Sequence, residues 1–233
     1  MTGVRIAAGR QKVSGGARHA RHRHATPYAA IILRGGYEEA GERGRVRVCA
    51  DDIVLHDAFD AHCDRFEQCA SEILNLPLSL HGAPSTVTAR TDDVDAIVRI
   101  AERNTREAAA ILLQSLEPVD AHQSDWQDEL AADLWRQPDL CLARWARAHG
   151  LAPETISRGF ARLYGVSPAR FRADVRARRA WNMLRAGQAP LAEIAHGAGF
   201  ADQPHFTREI VRLTGRTPGA WCRSNPFKTP AAC

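Results

Sequence analysis

Two groups of side chains in this sequence carry chemistry beyond packing. One lies in the C-terminal third, where Glu154, Thr155, Ser157, Arg158 and Arg162 form one stretch and Gln203, His205, Thr207, Arg208 and Arg212 form another about fifty residues later. An arginine fork donates two hydrogen bonds to guanine O6 and N7, a glutamine pairs with adenine N6 and N7, a glutamate accepts from cytosine N4, and Thr207 can touch a thymine methyl. Arg158 is the strongest base reader of the set. Arg176, Arg178, Arg179 and Arg212 are candidates for phosphate contacts, which hold register without reading sequence. The other group is near the N-terminus: His22, His24, Tyr28 and His62. Three imidazoles can hold Zn²⁺, Fe²⁺ or Ni²⁺ with one coordination position left open. The same residues can equally line a metal-free small-molecule pocket, or simply satisfy one another at the mouth of a β-domain. His19 and His56 lie near them in sequence and are assigned no role.

Side chains that read DNA must be held on the outer face of helices, and the sequence has the periodicity for this. In residues 190–223, Leu191, Ile194, Ala195 and Ala198 recur at three- and four-residue spacing, which places them on one helix face. Gly199 stops that helix, because a residue without a Cβ enters the left-handed turn conformation freely. A second helix is expected at once, capped by Asp202, with Pro204 in its first turn and Phe206, Ile210, Val211 and Leu213 as its buried stripe. Two short helices joined through a glycine turn form a helix-turn-helix, whose second helix enters the major groove.

The pattern occurs twice. In residues 142–168, Ala146 and Gly150 precede Ala195 and Gly199 by 49 positions, and Arg158, Gly165 and Pro168 precede Arg208, Gly215 and Pro218 by 50. Ile156, Phe160 and Leu163 are the expected core of the earlier reading helix. Residues 169–186 read as a connecting helix, roughly 27 Å long at ~1.5 Å per residue. That length can set two reading helices about one DNA turn, ~34 Å, apart.

The string GFADQPHFTREIVRLTGRTPGAWCR closely resembles the signature of AraC/XylS-family transcription regulators, with Pro204, Glu209, Ile210, Val211 and Trp221 as departures from it. The resemblance covers roughly residues 130–228. It implies a DNA-binding transcription regulator that acts on a promoter operator in double-stranded DNA, with RNA polymerase and a second copy of the chain as further partners.

Residues 1–90 read as short strands and turns, suggesting a small antiparallel barrel or sandwich. Tyr28 to Leu33 is a β-rich run, Val46 and Val48 alternate with Arg45 and Arg47, and Leu74, Leu76, Leu78 and Leu80 alternate in turn. Gly16, His22-Arg23-His24, Tyr28 and Gly35 are spaced similarly to the first motif of cupins, with tyrosine where the acid usually stands. Asp57 to His62 resembles the second motif. In metal-binding cupins these histidines and the acid converge on one ion, which maps onto His22, His24 and His62 with Tyr28 in the acid's place. The joint resemblance implies a small-molecule effector domain, metal-bearing or not. From Asp92 the period changes to that of one or two amphipathic helices, with Asp92 as a cap and Val94, Ile97, Ile100, Ala108, Ile111 and Leu112 on the apolar face. Residues 118–124 read as the linker.

The expected fold class is thus α+β with two domains: a cupin-like barrel with helices over 1–117, a linker over 118–125, and an all-α double helix-turn-helix domain over 126–233. Charge divides along the same line. Residues 126–233 hold 16 Arg and Lys against 9 Asp and Glu, while residues 1–125 hold 15 against 18. A basic C-terminal half suits a polyphosphate partner, since neutralising phosphates releases condensed counterions. The six cysteines, at 49, 63, 69, 141, 222 and 233, form no C-x-x-C pair, and no run approaches the ~20 apolar residues of a membrane span. A cytoplasmic protein with reduced thiols and no membrane partner is expected. The competing expectation is a metal-dependent cupin enzyme with a helical assembly domain; no nucleophile–base pair or phosphate-binding glycine loop supports catalysis.

Overall fold

Ten short strands form the N-terminal part of the computed structural model among the residues it describes, 6–79, 87–137, 139–187 and 189–224. Leu80 and Cys233, both named above, lie outside these residues. The chain divides into two units, the first ending at Asp128 and the second beginning at Glu129.

In the N-terminal unit, β1 (Gly9–Val13), β8 (Ser71–Pro77), β3 (Tyr28–Arg34), β6 (Ile53–His56), β9 (Thr88–Arg90) and β10 (Glu117–Pro118) form one antiparallel sheet in that order. A second sheet orders β2 (Arg18–Arg23), β7 (Ala61–Phe66), β4 (Gly36–Gly41) and β5 (Gly44–Cys49). The strand with the most continuous apolar run, β3, is buried on both faces, which is why it does not alternate. Its Tyr28, Ala30 and Ile32 join Tyr37, Val46, Val48 and Phe66 of the second sheet in one core. Its Ala29 and Ile31 pack instead with Ile97, Ala101, Ala108 and Leu112 of two helices, α1 (Val94–Ala101) and α2 (Thr105–Leu112). Asp93, not Asp92, caps α1, accepting from the Ala96 N–H at 2.7 Å.

The strands form two separate sheets rather than the expected closed barrel, and one segment runs from the edge of one sheet to the edge of the other. Residues 118–123, expected as linker, run along strand edges: Val119 donates to the Thr88 carbonyl, Arg47 donates to the Ala121 carbonyl, and Gln123 donates to the Arg45 carbonyl. Arg45 itself is buried and binds Asp125, Asp128 and Glu38, so the edge is held by charge-assisted bonds as well as by backbone pairing.

The C-terminal unit is helical. Here α4 (Leu142–Ala148) and α5 (Pro153–Tyr164) form one helix pair, α7 (Leu191–Gly197) and α8 (Gln203–Thr214) the other, and α6 (Pro168–Ala186) joins them. Ser167 caps α6, accepting from the Arg170 N–H, and its 19 residues span about 28 Å. The elements α3 (Trp126–Arg136) and α9 (Pro218–Ser224) flank this set. The turn glycines of the two repeats, Gly150, Gly165, Gly199 and Gly215, all have φ between +64° and +81°. A Cβ is strained there, so the periodic glycines of the sequence are the points where each helix must stop.

Candidate nucleic-acid interface and ligand cavity

The faces of α5 and α8 follow from which of their residues the core claims. On α5, Ile156, Phe160 and Tyr164 are buried, so Glu154, Thr155, Ser157, Arg158 and Arg162 are all exposed. Tyr164 takes the place expected for Leu163, which is half-buried, since a stripe of i, i+4, i+8 drifts away from i+7. Tyr164 stacks on Phe160 at 4.5 Å between centroids, and both meet Phe171 of α6 edge-on.

On α8, Phe206, Ile210 and Leu213 are buried and Val211 is exposed, contrary to its expected place in the core. One residue advances 100° around a helix, which carries Val211 off the face set by Ile210. Gln203 and Arg208 are exposed, while His205 and Thr207 are half-buried. Asp202 caps the helix as expected, accepting from the His205 N–H at 2.6 Å, and the His205 ring meets Phe200 edge-on.

The arginines offered as phosphate contacts separate on closer view. Arg178 is fully buried, so it is not a surface contact. Arg179 donates to the carbonyls of Trp135 and Arg136, capping the C-terminal end of α3. Arg212 donates to Asp174 and Glu209 and is committed to these acids. Arg176 is half-buried, and burial lowers its pKa.

The second site lies between the two sheets of the N-terminal unit. A cavity of about 500 Å³ is lined by His22, His24, Tyr28 and His62, together with Val13, Tyr37, Glu39, Phe66 and Ile73. All four residues expected from the sequence therefore meet in one place. His22 and His62 face each other across β2 and β7, paired in register, with ring centroids 4.4 Å apart. His24 lies 4.9 Å from His22 and 5.5 Å from His62. Donor atoms of His22, His24 and His62 lie within 4.8 Å of one another.

Two further residues belong to this cluster. His56 and Glu39 lie with His62 in a second set of donors within 4.8 Å, and His56 Nε2 is 3.6 Å from a Glu39 carboxylate oxygen. Glu39 had a readable signal: with a period of two along β4, it shares the buried face with Tyr37. His56 had none beyond its place at the end of an apolar run. The acid of the cluster is thus Glu39 from β4 rather than Tyr28, which stacks flat on His56 at 4.3 Å. Burial raises the Tyr28 pKa well above the usual phenol range, so the ring carries a neutral hydroxyl.

Burial also decides the protonation of the rest. It lowers His56 to about 3 and His62 well below its ordinary value, with the neighbouring imidazoles adding to the effect. It pushes Glu39 well up, reinforced by Asp64 and Asp60. Burial thus favours the uncharged forms of Glu39, His56 and His62. Among the described residues, the buried His62 Nδ1 has no hydrogen-bond partner. At the cavity rim, a hydrogen bond to Asp64 raises the pKa of His19.

Residues 145–224 match a family model described as a helix-turn-helix domain. The chain is 34% identical over 77 residues to a virulence regulon transcriptional activator, VirF, of Yersinia enterocolitica, a stretch that is 33% of this chain and 28% of that protein. It is 26% identical over 122 residues to the arabinose operon regulatory protein of Salmonella typhimurium, covering 52% of this chain and 43% of the relative. The chain thus spans less than half the length of either. A solved structure of ToxT from Vibrio cholerae superposes with a TM-score of 0.43 at 10% identity, covering 97% of this chain and 96% of that one. No helix of the described residues is long and apolar enough to cross a membrane. With two helix pairs, four left-handed turn glycines at matching positions and the match to the helix-turn-helix family model, the C-terminal unit is a double helix-turn-helix domain, similar over residues 145–224 to those of known transcription regulators.

Proposed function

We propose that this protein is a sequence-specific DNA-binding transcription regulator, not an enzyme, whose N-terminal cavity takes a small effector. The observation that carries the reading is the division of α5: its apolar side chains are buried, and Glu154, Thr155, Ser157, Arg158 and Arg162 all face solvent. In this reading Arg158 donates to a guanine edge in the major groove, Glu154 selects cytosine, and Thr155, Ser157 and Arg162 contact base edges or backbone nearby. On α8, Gln203, Thr207 and Arg208 form the second reading set, with His205 at its margin. Arg212 supports α8 from within the unit.

The cavity has the size of an organic ligand site and the mixed lining that such sites have, aromatic and aliphatic walls with a few convergent polar groups. A divalent metal is a second reading, favoured by the close donor set of His22, His24 and His62. Neutral imidazoles are what ligation requires, and the unpartnered His62 Nδ1 offers a lone pair or proton with nothing else to meet it. Zn²⁺, Fe²⁺ or Ni²⁺ would suit such nitrogen donors, with Glu39 near enough to supply charge once it gives up its proton. Such a regulator works where the chromosome is, so we place it in the cytoplasm. RNA polymerase and a second copy of the chain are its further partners.

The test is selection of duplexes from a random pool by the full chain, followed by Arg158→Ala. The variant should lose ~1–3 kcal/mol of specific affinity and relax selectivity at one base pair. Equal loss on every sequence would make Arg158 a phosphate contact, and no enrichment by the wild type would refute the regulator reading.

A further inference from the structure

We infer that the aim of the second reading helix is set by a closed ring of two arginines and two carboxylates joining α8 to α6, with Asp174 as its positioning residue. This inference rests on the DNA-reading role of α8. The Asp174 side chain is only 2% exposed, yet it accepts from Arg170 at 2.7 Å and from Arg212 at 2.8 Å. Glu209 closes the ring, accepting from Arg170 at 3.2 Å and from Arg212 Nε at 2.9 Å. Arg170 and Asp174 lie one turn apart on α6, and Glu209 and Arg212 one turn apart on α8. Each guanidinium therefore touches one acid from its own helix and one from the other.

The consequence is geometric. A carboxylate gripped by planar forks from two helices resists both sliding and rotation of one helix against the other. Glu209 adjoins Arg208 and is two residues from Thr207, so pinning it sets the direction in which those side chains leave α8. Apolar contacts alone are less directional. The ring holds two positive and two negative groups, so it adds no net charge to the face offered to DNA.

Among the described residues, the first repeat lacks the counterpart of Glu209. At the offset of 50 that relates the repeats, Gly159 stands in the place of Glu209 and Arg162 in the place of Arg212. Arg162 is exposed, and α5 meets α6 through the rings of Phe160, Tyr164 and Phe171. Two helices built on one pattern are thus held in different ways, α5 by ring packing and α8 by directed polar bonds as well.

The full-length chain and its Asp174→Asn variant would be assayed against the duplex that the wild type selects, and against duplexes altered in the half read by α5 or the half read by α8. Discrimination at the α8 half should fall about tenfold in the variant while discrimination at the α5 half is unchanged. The salt dependence should steepen as a released arginine meets a phosphate. Glu209→Gln, which leaves Asp174 covered by both arginines, should produce a smaller loss confined to the same half and serves as the readout if Asp174→Asn does not fold. Equal losses at both halves, or none at either, would overturn the inference. A wild-type chain that selects no sequence would instead overturn the DNA-reading assignment, and the inference with it.

Discussion

The buried imidazoles make stability depend on pH in a way that His56 lets one isolate. Its folded pKa is about 3 against an ordinary 6.5, with burial as the first cause. Between those values the unfolded chain holds a proton that the folded chain refuses. The stability His56 allows is therefore fully present above pH 6.5 and declines as pH falls toward 3. At pH 5 the linkage amounts to about 2 kcal/mol relative to pH 7.5, from a shift of roughly 3.5 units at ~1.36 kcal/mol per unit only partly traversed. His62 adds in the same direction. Glu39 acts oppositely: its raised pKa keeps a proton in the folded state, so its contribution weakens as pH rises through that value. Comparing wild type with His56→Asn removes the His56 term together with the part of the His62 shift that His56 causes, and both act in the same direction. The assay is hydrogen exchange of the β3 and β6 amides in chelator-treated full-length protein at pH 7.5 and 5.0, corrected for intrinsic rates. The variant is less stable at pH 7.5, having lost its stacking on Tyr28, but its opening free energy should fall by about 2 kcal/mol less on acidification. Equal declines in the two proteins would refute the claim that His56 is buried and neutral.

Two further outcomes follow from the same structure. Asp202→Ala removes the cap that accepts from His205 and should cost α8 about 1 kcal/mol, whereas α5, whose N-cap is Ala152 with no side-chain bond, should gain a similar amount from Ala152→Asp; exchange protection of each helix reports both. If the metal reading holds, elemental analysis of the purified protein should find near one ion per chain, lost in the His22→Ala, His62→Ala double variant. A metal-free preparation that still responds to its effector would end that reading.

What the sequence determined by itself was the C-terminal half. Helix starts and stops there are local events: Asp202 caps α8, Ser167 caps α6, and glycines at φ > 0 close both repeats. The three-and-four spacing of Phe206, Ile210 and Leu213 sets the buried face, so the outward face is known by subtraction. Of the candidates for phosphate contact, Arg178 lies in the interior, Arg179 at a helix end and Arg212 against two acids, because whether an arginine meets solvent, a helix end or an acid depends on neighbours far along the chain. The strands of the N-terminal half were legible from alternation, but their partners were not. Pairing β2 with β7 brings His22 to His62, and the register of β4 carries Glu39 to His56 from seventeen residues away. No local signal announces such meetings. Only the tertiary structure decided that Glu39, rather than Tyr28, is the acid of the cluster, that the strands form two sheets instead of a barrel with residues 118–123 along their edges, and that α8 is tied to α6 by charge.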